Sequence, residues 1–181
     1  MNTLNQDPDL EQRRQKEKKI LTLVLRVCQT VMERQRYFVV EQPWSAESWR
    51  YDGVLARLWQ RDDVWLVRGD QCAYGKVDSE SGLPYLKATG FMTNSQLIAN
   101  QVAKRCCCTV EHQPLIGNNK FGSRTKQAAE YPVGLAEAIC EGVRGQMKFD
   151  YAMNLKLDAA YPAEERERSR SPRQEADEHE G

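Results

Sequence analysis

Two alternations of helix and strand joined by short connections predict an α/β domain with a parallel sheet. Three observations carry that expectation. Apolar residues at a spacing near 3.6 over Asp9 to Arg36 give way at once to the run Tyr37-Phe38-Val39-Val40. The same exchange recurs between Tyr51 to Gln60 and Val64-Trp65-Leu66-Val67. With 181 residues, 40% of them apolar, the chain can fill one ordinary core, which its charged ends cannot join.

The first helix is charged and then apolar at Ile20, Leu21, Val24, Leu25, Val27, Cys28, Val31 and Met32, so its second half should lie on the sheet. The strand after it ends at Glu41-Gln42-Pro43, because Pro43 has no amide hydrogen for a ladder. Trp44 to Trp49 reads as a turn, and Val54, Leu55, Leu58 and Trp59 line one side of the second helix. Asp70 stands just past the second strand; in parallel sheets ligands sit beyond the carboxyl ends of strands, where Glu41 and Asp70 both fall. Val77 to Pro84 reads as an exposed loop, and Ser95 as the cap of a helix through Leu97, Ile98, Val102 and Ala103. Glu111 to Thr125 reads as irregular and Pro132 to Val143 as a last amphipathic helix. The expected organisation is a charged extension over 1–19, the α/β domain over 20–150 and a disordered charged tail over 151–181.

Lys plus Arg and Asp plus Glu number 26 each, so no global field draws the chain to nucleic acid or to a membrane surface. Arg166, Arg168, Arg170 and Arg173 in the tail are opposed by seven acids between Glu164 and Glu180. The longest apolar run, Ile20 to Leu25, is far short of the roughly 20 residues of a membrane span. Met1 to Leu10 does not have the pattern of a secretion signal, and six cysteines then point to free thiols in a reducing, intracellular compartment, nuclear or cytoplasmic.

Several clusters follow one another in a recognisable order: Glu41-Gln42-Pro43; Cys72, Tyr74 and Gly75; Lys87 and Thr89; Thr93 and Asn94; a cysteine of the 106 to 108 triplet; His112; and Tyr131-Pro132. This order resembles the second half of cytosine-C5 DNA methyltransferases, the phage-type ones especially, over about Leu23 to Val143. Together with the tryptophans and Gly90-Phe91-Met92-Thr93-Asn94-Ser95, it also resembles a domain embedded in retrotransposon polyproteins. The resemblance implies a partial Rossmann-like, methyltransferase-type sheet. It gives Glu41 the contact to cytosine N3 and places Gln42, Pro43, Asp70, Cys72, Lys87, Thr89 and Asn94 at the substrate. Gln42 stands where the family usually has Asn.

Cytosine C5 is a poor nucleophile, so such enzymes add a thiolate at C6 before methyl transfer from S-adenosylmethionine to a base flipped from the duplex. The family's thiolate belongs to a Pro-Cys dipeptide, which this chain lacks, and no glycine-rich cofactor loop precedes Glu41. The leading expectation is therefore a catalytically incomplete domain that binds no cofactor alone and keeps a binding or scaffolding role, with DNA or an upstream polyprotein segment as partner. In the alternative, an upstream piece completes an active methyltransferase that uses S-adenosylmethionine.

A third reading is a zinc-stabilised interaction module. Sulfur and imidazole suit zinc, but three adjacent cysteines cannot all face one ion, and no second Cys-x-x-Cys pair is present. A site would have to combine Cys72, one triplet cysteine such as Cys108, and His112. The competing expectation is no metal, with the triplet at a helix end and one thiol buried. Other ordinary roles compete for the same residues: Glu41 accepting from a turn, Asp70 capping one, Cys72 packing as a small apolar group, and Lys87 solvated. The tryptophans would then be core or turn anchors.

Overall fold

The computed structural model describes residues 8–50 and 53–160. A long helix α1 (Pro8–Glu33) leads into β1 (Val39–Pro43), and a 3-10 turn at Glu47–Trp49 and the short α2 (Ala56–Trp59) lead into β2 (Trp65–Asp70). After a 3-10 turn over Gln71–Tyr74 come β3 (Ala88–Thr93) and α3 (Gln96–Val102). A two-residue hairpin, β4 (Asn118–Asn119) and β5 (Gly122–Ser123), precedes α4 (Arg124–Gln127) and the long α5 (Val133–Ala160).

Helix and strand are mixed as expected, but the sheet is antiparallel. Its order is β1-β3-β2, with β3 antiparallel to both neighbours. β1 and β2 do run in the same direction, yet β3 lies between them, so the expected parallel, Rossmann-like pairing is corrected. The pattern missed β3 because Ala88-Thr89-Gly90 reads as a polar, flexible cluster. Gly90 is instead imposed by packing: a Cβ there would lie 2.7 Å from the Trp49 indole nitrogen.

β3 is buried from Thr89 to Thr93 and divides the core, because successive side chains of a strand point to opposite faces. Met92 joins Leu25, Cys28, Phe38, Trp49, Leu55, Leu58 and Val64, the cluster built by α1 and the β1–β2 connection. Phe91 joins Tyr74, Ile98, Val102, Leu135 and Ala138, under α3 and α5. α3 and α5 approach closely enough that a Cβ on Gly142 would lie 2.7 Å from Ile98 Cα. Ser95 caps α3 as expected, its hydroxyl accepting from the Ile98 amide at 3.2 Å and donating to Gln146 of α5 at 2.6 Å.

The expected boundaries at 19/20 and 150/151 both fall inside helices, α1 and α5. Tyr51, Asp52, residues 1–7, and residues 161–181 with Arg166, Arg168, Arg170 and Arg173 lie outside the described residues. The second helix is much shorter than its pattern, occupying Ala56–Trp59, and the last runs well beyond Val143. No helix among the described residues is long and apolar enough to cross a membrane.

Candidate metal centre

Of the residues expected at one substrate site, Asn94 alone lies at the end of the sheet where β3 finishes; Gln42, Pro43, Asp70, Cys72, Lys87 and Thr89 lie toward the other end, where β1 and β2 finish and β3 begins, and Glu41 pairs with Phe91 in mid-strand. Asn94 sits where β3 ends: its Oδ1 accepts from the Phe38 amide at 3.0 Å and its Nδ2 donates to the Arg36 carbonyl at 2.9 Å. It thereby fixes the entry to β1. Pro43 and Thr89 are paired at the opposite end, and Thr89 Oγ1 accepts from the buried Gln71 amide at 3.1 Å. The Pro43 carbonyl accepts from the Trp49 indole at 3.0 Å, and Gln42 accepts from Ser48. Lys87, half-buried, donates to the Ala128 carbonyl at 3.0 Å at the end of α4. Glu41 faces Tyr131, whose phenol is pushed up to about 12 by partial burial and then by the Glu41 charge. These contacts tie loops and strand ends to the body.

Asp70, paired with Ala88 at the same end of the sheet as Pro43 and Thr89, leads directly to a cluster of four groups. β2 ends at Asp70 and turns through Gln71–Tyr74, which carries Cys72 inward; Gly75 closes the turn at φ 84°, in the left-handed region that favours glycine. After α3 the chain returns beside that turn. The Asp70 amide donates to the Lys104 carbonyl at 2.8 Å, and Tyr74 Oη accepts from the Lys104 amide while donating to the Gln101 carbonyl, both at 3.0 Å.

Cys72, Cys106, Cys108 and His112 each bring one ligand atom to within 4.8 Å of all the others. Zinc–sulfur bonds of 2.3 Å from a tetrahedral centre would place two sulfurs about 3.8 Å apart, and a sulfur and an imidazole nitrogen about 3.6 Å apart. Cys106 Sγ and His112 Nε2 lie 3.3 Å apart, and all six cysteines of the chain are free thiols. Separations of up to 4.8 Å are about 1 Å wider than those edges, so modest side-chain movement would close the four groups on one zinc ion, and four protein ligands would leave no position for water, as in structural rather than catalytic sites.

The triplet behaves as geometry requires. Cys106 and Cys108 are half-buried and turned inward, whereas Cys107 between them is exposed and outside the group. Its backbone from Ala103 to Cys108 is irregular, not a helix end. Two triplet cysteines thus join the group where one was expected, and Cys106 is the member that the sequence did not single out; alternation along extended backbone would have paired it with Cys108.

The thiol electrostatics follow from the packing of the group. Burial, then the neighbouring Cys106 and Cys108, push Cys72 up to about 12. Cys106 is moved down, chiefly by the Cys108 amide aimed at its sulfur, and Cys108 is moved up, chiefly by burial. Packed thiols resist ionising together, and a divalent cation reverses that preference by deprotonating them.

No protein-family profile, no curated protein and no solved structure matches this chain.

Proposed function

We propose that this chain is an interaction module clasped by one zinc ion on Cys72, Cys106, Cys108 and His112. The observation that carries the reading is the convergence of these four groups, from two separate segments of the chain, to within 4.8 Å of one another, close to the dimensions of a zinc tetrahedron. Zinc there would tie the turn after β2 to the segment after α3 and hold the arm that ends at His112. A full set of protein ligands leaves no open position for substrate, so the role is structural and the module acts by binding. Apolar residues left exposed on both long helices support a binding role: Ile20, Leu23 and Val27 on α1, and Met147, Tyr151 and Leu155 on α5.

The test is metal analysis of protein purified without chelator. About one zinc per chain is expected for the wild type and for Cys107→Ser, and a large loss for Cys108→Ser and His112→Ala. Metal-free wild-type protein that takes up no zinc on titration overturns the reading. The methyltransferase reading is favoured by none of the contacts described above. Its own test is transfer of a labelled methyl group to DNA when the chain is combined with an upstream piece that carries Pro-Cys and a glycine-rich loop.

A further inference from the structure

Asp70 lies almost fully buried beside the four metal ligands but outside their set, and both of its oxygens are occupied. Oδ2 accepts from the Cys106 amide at 3.0 Å and from Arg105 Nε at 3.2 Å, and Oδ1 accepts from Arg68 Nε at 2.9 Å. A carboxylate so engaged is held in place by three hydrogen bonds and stays outside the ligand set. It grips the backbone of a ligand cysteine from one side while its own amide holds Lys104 from the other.

We propose that Asp70 is the positioning residue of the metal centre, presetting the Cys106 arm before the ion arrives and completing the charge balance once it is bound. The inference rests on the zinc reading above. Three thiolates, a neutral imidazole and a divalent cation sum to one negative charge. Asp70 adds a second, and the Arg68 and Arg105 guanidiniums, both bonded to Asp70, cancel the pair. A lone buried carboxylate next to three thiolates would repel them; the two arginines make its placement tolerable and fix its orientation. Cys72, only two residues after Asp70, enters the site from the same turn, so one carboxylate sets the spacing between the two arms that supply three of the four ligands.

The experiment uses the full chain and cobalt(II) as the probe, read by its thiolate charge-transfer and tetrahedral d–d absorption, with zinc affinity measured by competition against a chromophoric chelator. Asp70→Asn is expected to bind one ion with affinity about 10- to 100-fold below wild type, the usual effect of losing an outer partner of a ligand. Tyr74→Phe is the structural control: it removes the hydrogen bonds to Gln101 and Lys104 in the same segment but touches neither Cys106 nor the charge balance, and its affinity should stay within about threefold of wild type. Should Asp70→Asn bind within that range, or Tyr74→Phe lose as much as Asp70→Asn, Asp70 is no positioning residue. If Asp70→Asn fails to fold, Arg105→Gln, at an exposed position, replaces it with an expected loss of about threefold or more, and wild-type affinity there overturns the proposal. Wild-type protein with no cobalt absorption ends the zinc reading itself, whereas a wild type that binds beside an unaffected Asp70→Asn removes this inference alone.

Discussion

Removing the metal should lower the melting temperature without unfolding the core. None of the four ligands belongs to either apolar cluster: Met92 and its neighbours fill one face of the sheet, Phe91 and its neighbours the other. The stabilisation expected from the proposed zinc is therefore a linkage effect, set by how far free metal exceeds its dissociation constant. At a 100-fold excess it amounts to about 2.7 kcal/mol. For a chain of this size each kcal/mol moves the melting temperature by about 2–4 °C, so zinc should raise it by roughly 5–10 °C over chelated protein. Differential scanning calorimetry with and without chelator measures the shift, and far-UV circular dichroism should show the helices of the chelated form retained. Cys108→Ser and His112→Ala should melt near the chelated wild type and ignore added zinc, while Cys107→Ser should respond in full. Equal loss of response in Cys107→Ser and Cys108→Ser would refute the assignment of ligands, and collapse of the helical signal on chelation would refute the independence of the core.

Three further outcomes follow from packing and charge. Gly142→Ala should destabilise the fold by about 1–3 kcal/mol in urea denaturation, because the added methyl has only the Ile98 backbone to displace at 2.7 Å. Ser95→Ala should cost about 1 kcal/mol through the lost cap of α3, and more than an ordinary cap because the same hydroxyl reaches Gln146. Asp78 is held well below the usual carboxylate value of 3.8, first by the Tyr85 hydroxyl and then by the Ser81 amide, and Arg124 lies 3.2 Å away. With the folded pKa below the unfolded one, its contribution is complete above about pH 4 and drains away as pH falls below that value. Melting temperatures recorded from pH 6 downward should drop less steeply in Asp78→Asn than in wild type, and parallel profiles would contradict this.

The sequence makes the helices more legible than the sheet. Ile20 to Met32 and the Ser95 cap announce α1 and α3 through local periodicity and a local hydrogen bond, and both are present. β3 is the reverse case. Its Ala, Thr and Gly lack the β-branched run of a central strand, and its place is set by contacts distant in sequence: Trp49 against Gly90, and the two apolar clusters on either face. Without β3, two strands that share a direction look like neighbours, and the parallel reading follows. The cluster is similarly nonlocal. Cys72 and Cys108 stand 36 residues apart in the numbering, and no spacing rule links them; the link is the return of the chain along β2, made by Asp70 and Tyr74. Cys106 was within reach, since residues two apart on extended backbone share a side.

The order β1-β3-β2 leaves the sheet with two margins, and they are finished differently. Beyond β2, the segment that reaches Cys106 lies alongside and takes up the amide of Asp70, so that border is partly closed from within. β1 forms the opposite border and ends on Pro43, which has no hydrogen to offer a newcomer, two residues after the carboxylate of Glu41. A short rim carrying an acid and an imino acid discourages another strand from adding on, which leaves the helices as the sides through which the molecule can meet other chains without stacking into fibres.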